Sequence, residues 1–365
     1  MRIAQLAPLW ETVPPKAYGG TELIVYNLCE EFIKLGHEVT LFASGDSKTS
    51  ANLEKIIDGP MRALKVTSPI QYELSSISRL VEKSGEFDII HNHMGYQFLP
   101  FVELTKVPVV TTLHGAFVVD DEVSVYKKYK DQNYISISNS QRKGAPDLNY
   151  VDTVYNGIEL EKFKFNPLYA RKTPYLAFLG RMSEEKGPHL AIKLSKECGI
   201  RLIMAGKVDK HDIEHFNKKV KPLIDNEKII FIGELGHEDK VKLLSSAYAT
   251  VHPVTWPEPF GLVMIESMAC GTPVLALNQG SIPEVIAHGK TGFVENSLDK
   301  LVKRVKDIAQ IDRMQCRKHV EENFSAKKMA NNYLSAYKKF VNKKNTVINM
   351  NQEINLKQNF KNVNK

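Results

Sequence analysis

Two glutamates, Glu258 and Glu266, are separated by seven residues in the segment EPFGLVMIE, where a proline and a glycine mark entry into a helix. One carboxylate then precedes the helix and the other sits inside it. The first backbone N–H groups of such a helix, around Gly261, Leu262 and Val263, have no intrahelical acceptor, and with the macrodipole they offer a seat for a diphosphate. Upstream, LGRMSEEKG places Arg181 and Lys186 at the end of a strand-like run, where two cations can neutralise charge building on a departing diphosphate. Read alone, each feature also has a plainer meaning: two solvated glutamates on a helix, and a basic pair on a surface loop.

The first half of the chain carries a second set of candidates. In YGGTE, Gly19 and Gly20 follow the first strand-like run and open a helix, so backbone and helix N-terminus can approach a ligand closely, although a tight turn needs the same residues. G-x-G-x-x-G is absent there, so this is no nicotinamide fingerprint. His114 in TTLHG ends a strand, where ligands gather in open parallel sheets, though a lone histidine is often structural. His91 and His93 in IIHNH share one face of a strand and invite a metal, but no third ligand of clear spacing follows. Asp120 and Asp121 are adjacent and do not make an Asp-x-Asp metal motif, so no metal and no other cofactor is expected. Gly280, Ser281 and Glu284 in GSIPEVI follow a strand near the motif helix and are secondary candidates.

The E-x7-E spacing of Glu258 and Glu266, the GR-x4-KG spacing around Arg181 and Lys186 and the glycine pair together resemble family 4 of the glycosyltransferases, over nearly the whole chain. The resemblance implies the α/β GT-B fold, two Rossmann-like doubly wound domains facing across a cleft. It implies that Glu258 bonds the hydroxyls of a donor sugar, Glu266 the ribose, and the amides of Gly261, Leu262 and Val263 the phosphates. Arg181 and Lys186 then serve the diphosphate, Gly19 and Gly20 the glycine loop, His114 the sugar and its developing positive charge, and the Gly280–Glu284 stretch the pocket wall. Lys207 and Gly233 to Leu235 are expected near the base. The implied reaction is transfer of a hexose from a nucleotide diphosphate sugar, UDP-glucose first and GDP-mannose second, to a hydroxyl on a glycan, lipid or small molecule, with retained configuration. Two alternatives stay open: a sugar-nucleotide epimerase or hydrolase of the same fold, and a non-catalytic nucleotide-binding scaffold.

These residues need elements to hold them. The first half alternates RIAQLAP, EVTLFAS, FDIIHNH, PVVTTLHG, YISISNS and DTVYNG with helical patterns such as TELIVYNLCEEFIKLG, whose Ile24, Leu28, Phe32 and Leu35 repeat at helical spacing. Such alternation is the mark of βαβ units around a parallel sheet. After a linker-like stretch from Lys162 to Thr173 it restarts with PYLAFLG, IRLIMAG, KIIFIGEL, YATVHPV, PVLAL and GFVE. The expected division is an acceptor domain over 1–160, a nucleotide-sugar domain over 161–324, a terminal helix over 325–342 crossing back to the first domain, and an unstructured tail over 343–365.

The bulk numbers agree with two cores, since 365 residues exceed what one core usually holds, and 43% hydrophobic and 25% charged residues are ordinary globular values. No apolar run approaches the length needed to span a bilayer, and MRIAQLAPLW reads as a first strand rather than a leader. Cys29, Cys198, Cys270 and Cys316 are scattered and form no CxxC pair, which suits a cytoplasmic location. The net charge is +7, but from Lys343 onward five lysines face only Glu353, so the folded body is mildly basic and no nucleic-acid partner is expected. YKKYK and the tail lysines leave weak peripheral contact with an anionic membrane open, against the plainer reading of a solvated face.

Overall fold

A computed structural model describes residues 1–17, 19–170 and 172–341; the tail expected over 343–365, and residue 342, lie outside the described residues. Seven strands form the first sheet: β1 (Arg2–Leu6), β2 (Glu38–Ser44), β3 (Asn52–Ile57), β4 (Ile89–Asn92), β5 (Val109–Leu113), β6 (Tyr134–Ser136) and β7 (Tyr150–Thr153). Six form the second: β8 (Tyr175–Leu179), β9 (Arg201–Ala205), β10 (Ile229–Phe231), β11 (Ala249–His252), β12 (Val274–Leu277) and β13 (Gly292–Glu295). Every pairing is parallel, in the orders β3-β2-β1-β4-β5-β6-β7 and β10-β9-β8-β11-β12-β13. These are two doubly wound sheets, as the alternating pattern implies. β3 is an addition: NLEKII carries charge inside its run and lacks the apolar signal of the other strands.

In each sheet the strand order reverses once, between β1 and β4 and between β8 and β11. Ligands collect outside the carboxyl ends of strands at such points. The chain leaves β1 toward Gly19, β4 toward His93, β8 toward Arg181 and β11 toward Glu258, so both switch points carry the residues in question.

The largest core surrounds the second sheet, with Leu176, Phe178, Met264, Leu275 and Phe324 among its members. The core on one face of the first sheet, under the helix Gly20–Lys34, combines Ile3, Leu28, Phe32, Ile89 and Val110 with Met329, Tyr333 and Tyr337 from the helix over 326–341. That last helix therefore packs into the first domain. The crossing is tight: Ile158 and Ser325 form a β-bridge, and a Cβ added to Gly157 would lie 2.4 Å from the Ser325 carbonyl oxygen. Asp120 to Glu122 fill the first turn of the helix Asp120–Lys128 and Lys127 and Lys128 its last, matching the helix dipole. Among the described residues no helix is long and apolar enough to cross a membrane.

Candidate active site

On the second domain, β11 ends at His252 and the chain loops to Gly261, whose φ of 80° starts the helix Leu262–Ala269. A side chain there would collide with Met264, since a Cβ would lie 2.7 Å from its terminal methyl. The loop is braced from behind. Ser281 donates its N–H to the Glu258 carbonyl at 2.9 Å and its hydroxyl to that of Phe260 at 3.0 Å, while a Cβ on Gly280 would meet the Glu258 backbone at 2.3 Å. Gly280 and Ser281 thus support the wall and do not line it.

Glu258 is 5% exposed. Its Oε2 accepts from Lys186 Nζ at 2.5 Å and Trp256 Nε1 at 2.9 Å, with His252 Nε2 at 3.9 Å. Burial by itself raises this carboxyl, but Lys186, His252 and Trp256 outweigh it and bring it below the usual carboxylate range. Lys186 also lies over the Trp256 ring, 4.8 Å from its centroid. Glu266, inside the helix and equally buried, accepts from Lys240 Nζ at 2.5 Å. Arg181 bonds Glu185 at 2.5 Å and lies 3.6 Å from Asp212.

The first domain meets this face with neutral groups. Gly19, at φ 143°, is where a Cβ would lie 2.7 Å from that of Pro15, and a Cβ on Gly20 would lie 3.5 Å from Leu262 of the other domain. His114 follows β5 and is half-buried, with Nε2 2.8 Å from His93 Nδ1. Burial pushes its imidazole down to about 4, so it is uncharged at neutral pH. His252 is likewise pushed down to about 4, by burial first. His91 and His93 do share a face, their rings 3.8 Å apart, but their nitrogens bond Thr112, Tyr337, Gln5 and His114.

Two cavities between these faces run into each other. The first, of ≈ 310 Å³, is lined by His114, Lys186, His252, Trp256 and Glu258; the second, of ≈ 220 Å³, by Gly19, Lys207, Glu234, Leu235, Lys240 and Glu266. Gly20, Arg181, Leu262 and Val263 line both. The helix opening at Gly261 therefore stands at the junction, with one acid in each chamber.

Like Gly280 and Ser281, Glu284 lines neither chamber. Its carboxylate accepts from the N–H groups of Asn139 at 2.8 Å and Ser140 at 2.7 Å and from the Tyr155 hydroxyl at 2.8 Å, bridging to the first domain. Conversely, His252, Trp256 and Lys240 belong to the site and were not singled out from the sequence. His252 ends a strand at a switch point just as His114 ends one, a signal that was available. Lys240 sits on the helix His237–Ser246, and nothing in its local sequence points to Glu266.

Comparison with known proteins fits this geometry. Residues 160–347 match the model of the family described as Glycosyl transferases group 1, and residues 18–162 that of Glycosyltransferase Family 4. The chain belongs to the group 1, family 4 glycosyltransferases. Relatives of this glycosyltransferase include an uncharacterized glycosyltransferase of Methanocaldococcus jannaschii, 25% identical over 80% of this chain and 84% of that one. N-acetyl-alpha-D-glucosaminyl L-malate synthase of Bacillus anthracis is 24% identical over 87% of this chain and 93% of that protein. Among solved structures, sucrose-phosphate synthase of Thermosynechococcus elongatus aligns with a TM-score of 0.75 at 19% identity, covering 93% of this chain and 98% of that one. Anabaena HepE in complex with UDP-glucose aligns with a TM-score of 0.70 at 17% identity, covering 92% and 98%. The fold is GT-B, and the chain is a glycosyltransferase.

Proposed function

We propose that this glycosyltransferase moves a hexose from a nucleotide diphosphate sugar, a UDP-hexose before a GDP-hexose, to a hydroxyl acceptor with retention of configuration and without a metal. The observation that carries the reading is the buried ion pair of Lys186 and Glu258 beside the helix opened by Gly261. The ammonium of Lys186 has three donors, so it can keep Glu258 and still take a phosphate oxygen, joined by Arg181 and the amides of Leu262 and Val263. Only Oε2 of Glu258 and Oε1 of Glu266 are hydrogen-bonded among the described residues, which leaves Oε1 of the first for sugar hydroxyls and Oε2 of the second for a ribose. The UDP-glucose complex of the Anabaena protein supports a uridine nucleotide as first choice.

With both acids engaged in binding, neither is left as a base on the far side of the sugar, which supports front-face transfer. The bond from the anomeric carbon to the diphosphate breaks, the acceptor oxygen bonds that carbon on the same face, and its proton passes to the leaving phosphate. Catalysis then rests on orientation and on cations placed where charge develops, and those cations belong to the chain itself.

A thermal-shift panel of nucleotides and nucleotide sugars tests this, because a ligand held only by the folded state adds about 2.7 kcal/mol at a hundredfold excess over its Kd. A UDP or GDP sugar is expected to raise the melting temperature equally with and without chelator, and product NMR to report retained configuration. Silence to every nucleotide, or a chelator-sensitive shift, would sink the reading.

A further inference from the structure

Behind the cleft, the first domain holds a chain of buried hydrogen bonds that the roles above do not use. The rings of His91 and His93 lie 3.8 Å apart and those of His93 and His114 5.1 Å apart. His93 Nε2 is 2.7 Å from Gln5 Oε1 and His93 Nδ1 is 2.8 Å from His114 Nε2. With the Gln5 amide assigned this orientation, its oxygen only accepts, so Nε2 of His93 carries a proton. Burial holds His93 well below the usual imidazole range, so it is neutral and its Nδ1 is bare. A bare nitrogen only accepts, so His114 Nε2 carries a proton and donates it to that bond. His114 is neutral too, which leaves its Nδ1 as a lone pair. That nitrogen makes no hydrogen bond among the described residues, and its ring lines the chamber that holds Glu258.

We infer that Gln5 and His93 are positioning residues that fix His114 in one tautomer, so that it offers a bare Nδ1 to the cleft and accepts a hydrogen bond from a ligand hydroxyl. The assignment deepens the proposed donor contact of His114 and rests on it for the identity of the ligand. Such a nitrogen welcomes a hydroxyl and repels a phosphate oxygen, which would set lone pair against lone pair. The stack is also anchored from behind with a defined direction. Thr112 donates its hydroxyl to Tyr333 at 3.1 Å and so accepts from His91 Nε2 at 2.6 Å, which leaves His91 Nδ1 to accept from Tyr337 at 2.6 Å. Both tyrosines belong to the helix over 326–341, so the segment that crosses between domains holds the stack in place.

Nitrogen-15 NMR of the ligand-free full chain with labelled histidine tests the tautomer directly, with His114→Ala assigning the signals. His114 and His93 are expected to carry a proton on Nε2 and none on Nδ1. In Gln5→Leu, which removes the accepting oxygen, both tautomers of His114 should appear, and turnover with UDP-glucose or GDP-mannose, whichever is used, should fall about 10- to 100-fold, by analogy with the loss of a partner that orients a metal-bound histidine. Binding of UDP or GDP alone should not change. A proton on His114 Nδ1 in the unaltered chain, or a single unchanged tautomer in Gln5→Leu, overturns the inference. The expected tautomer combined with full turnover in His114→Ala would instead overturn the sugar contact.

Discussion

The two walls of the cleft recognise in different ways. The second domain presents charge that is already paired with itself, Lys186 with Glu258 and Lys240 with Glu266, each acid about 5% exposed or less. The first domain presents glycine backbone and a neutral histidine chain. An empty wall of unpaired buried charges would be costly, so the acids proposed to meet sugar and ribose also keep their cations in place in the ligand-free cleft. The neutral wall needs no such arrangement and can be specific through hydrogen-bond direction alone.

Lys186→Ala should break the comparison most severely. It leaves Glu258 buried without its cation, a loss of about 3 to 5 kcal/mol when one partner of a buried pair is removed. Chemical denaturation should show that loss, and calorimetry should show weaker binding of nucleoside diphosphate and of nucleotide sugar alike. Glu258→Ala and His114→Ala alter the proposed sugar chamber from opposite walls. Glu258→Ala should cut turnover by about a hundredfold to a thousandfold, as for other aimed contacts to a transition state, and both variants should leave nucleoside diphosphate binding largely intact. Wild-type turnover in all three variants would place the reaction elsewhere in the molecule.

Much of the charged wall was legible because its residues are close in sequence or framed by punctuation. Glu258, Gly261 and Glu266 lie on one loop and helix, and Arg181 and Lys186 on one loop after β8. The strands were legible wherever an apolar run reported burial on both faces, and β3 was not, because charge interrupts its run at the sheet edge, where Glu54 pairs with Arg79 and Lys83 and Lys55 is exposed. What could not be read was pairing at long range. Lys240 meets Glu266 from a separate helix, and Gln5, His93 and His114 meet only because β1, β4 and β5 are neighbours in the sheet. Glu284 was expected to support the diphosphate pocket by its place in the chain, but the helix Ile282–Val285 turns its carboxylate toward the first domain.

The buried histidines of both walls also predict a dependence on pH. His91, His93, His114 and His252 titrate lower in the fold than the ordinary value of 6.5, His114 and His252 at about 4. Between those values the unfolded chain binds protons that the folded chain refuses. Stability from these groups is therefore present above pH 6.5 and, for His114 and His252, is lost as pH falls toward 4. Glu22, raised by burial to about 7 from 4.5, acts in the opposite sense and costs stability as pH rises through that interval. Melting curves should accordingly fall from pH 7 to pH 5, and Glu22→Gln should make that fall steeper by removing the opposing group. A flat profile in both proteins would mean that the histidine stack is hydrated.

Glu284→Ala is expected to have the smallest effect, and it bears on how the walls are held together. The carboxylate caps the N–H groups of Asn139 and Ser140 at the start of the 3-10 turn Ser140–Gly144 and takes the Tyr155 hydroxyl, whose own titration is pushed up to about 12 by burial and then by this bond. Loss of such a cap costs about 1 kcal/mol, so the melting temperature should drop by only a few degrees. Because these bonds join the two domains, small-angle scattering should register a larger radius for the ligand-free variant, and saturating nucleotide sugar should restore the compact form by bridging the walls itself. Turnover should be preserved at saturating donor, with a raised KM, since the residue touches neither chamber. A collapse of kcat with unchanged scattering would instead make Glu284 part of the reacting site, and the charged wall would then extend beyond the two pairs described.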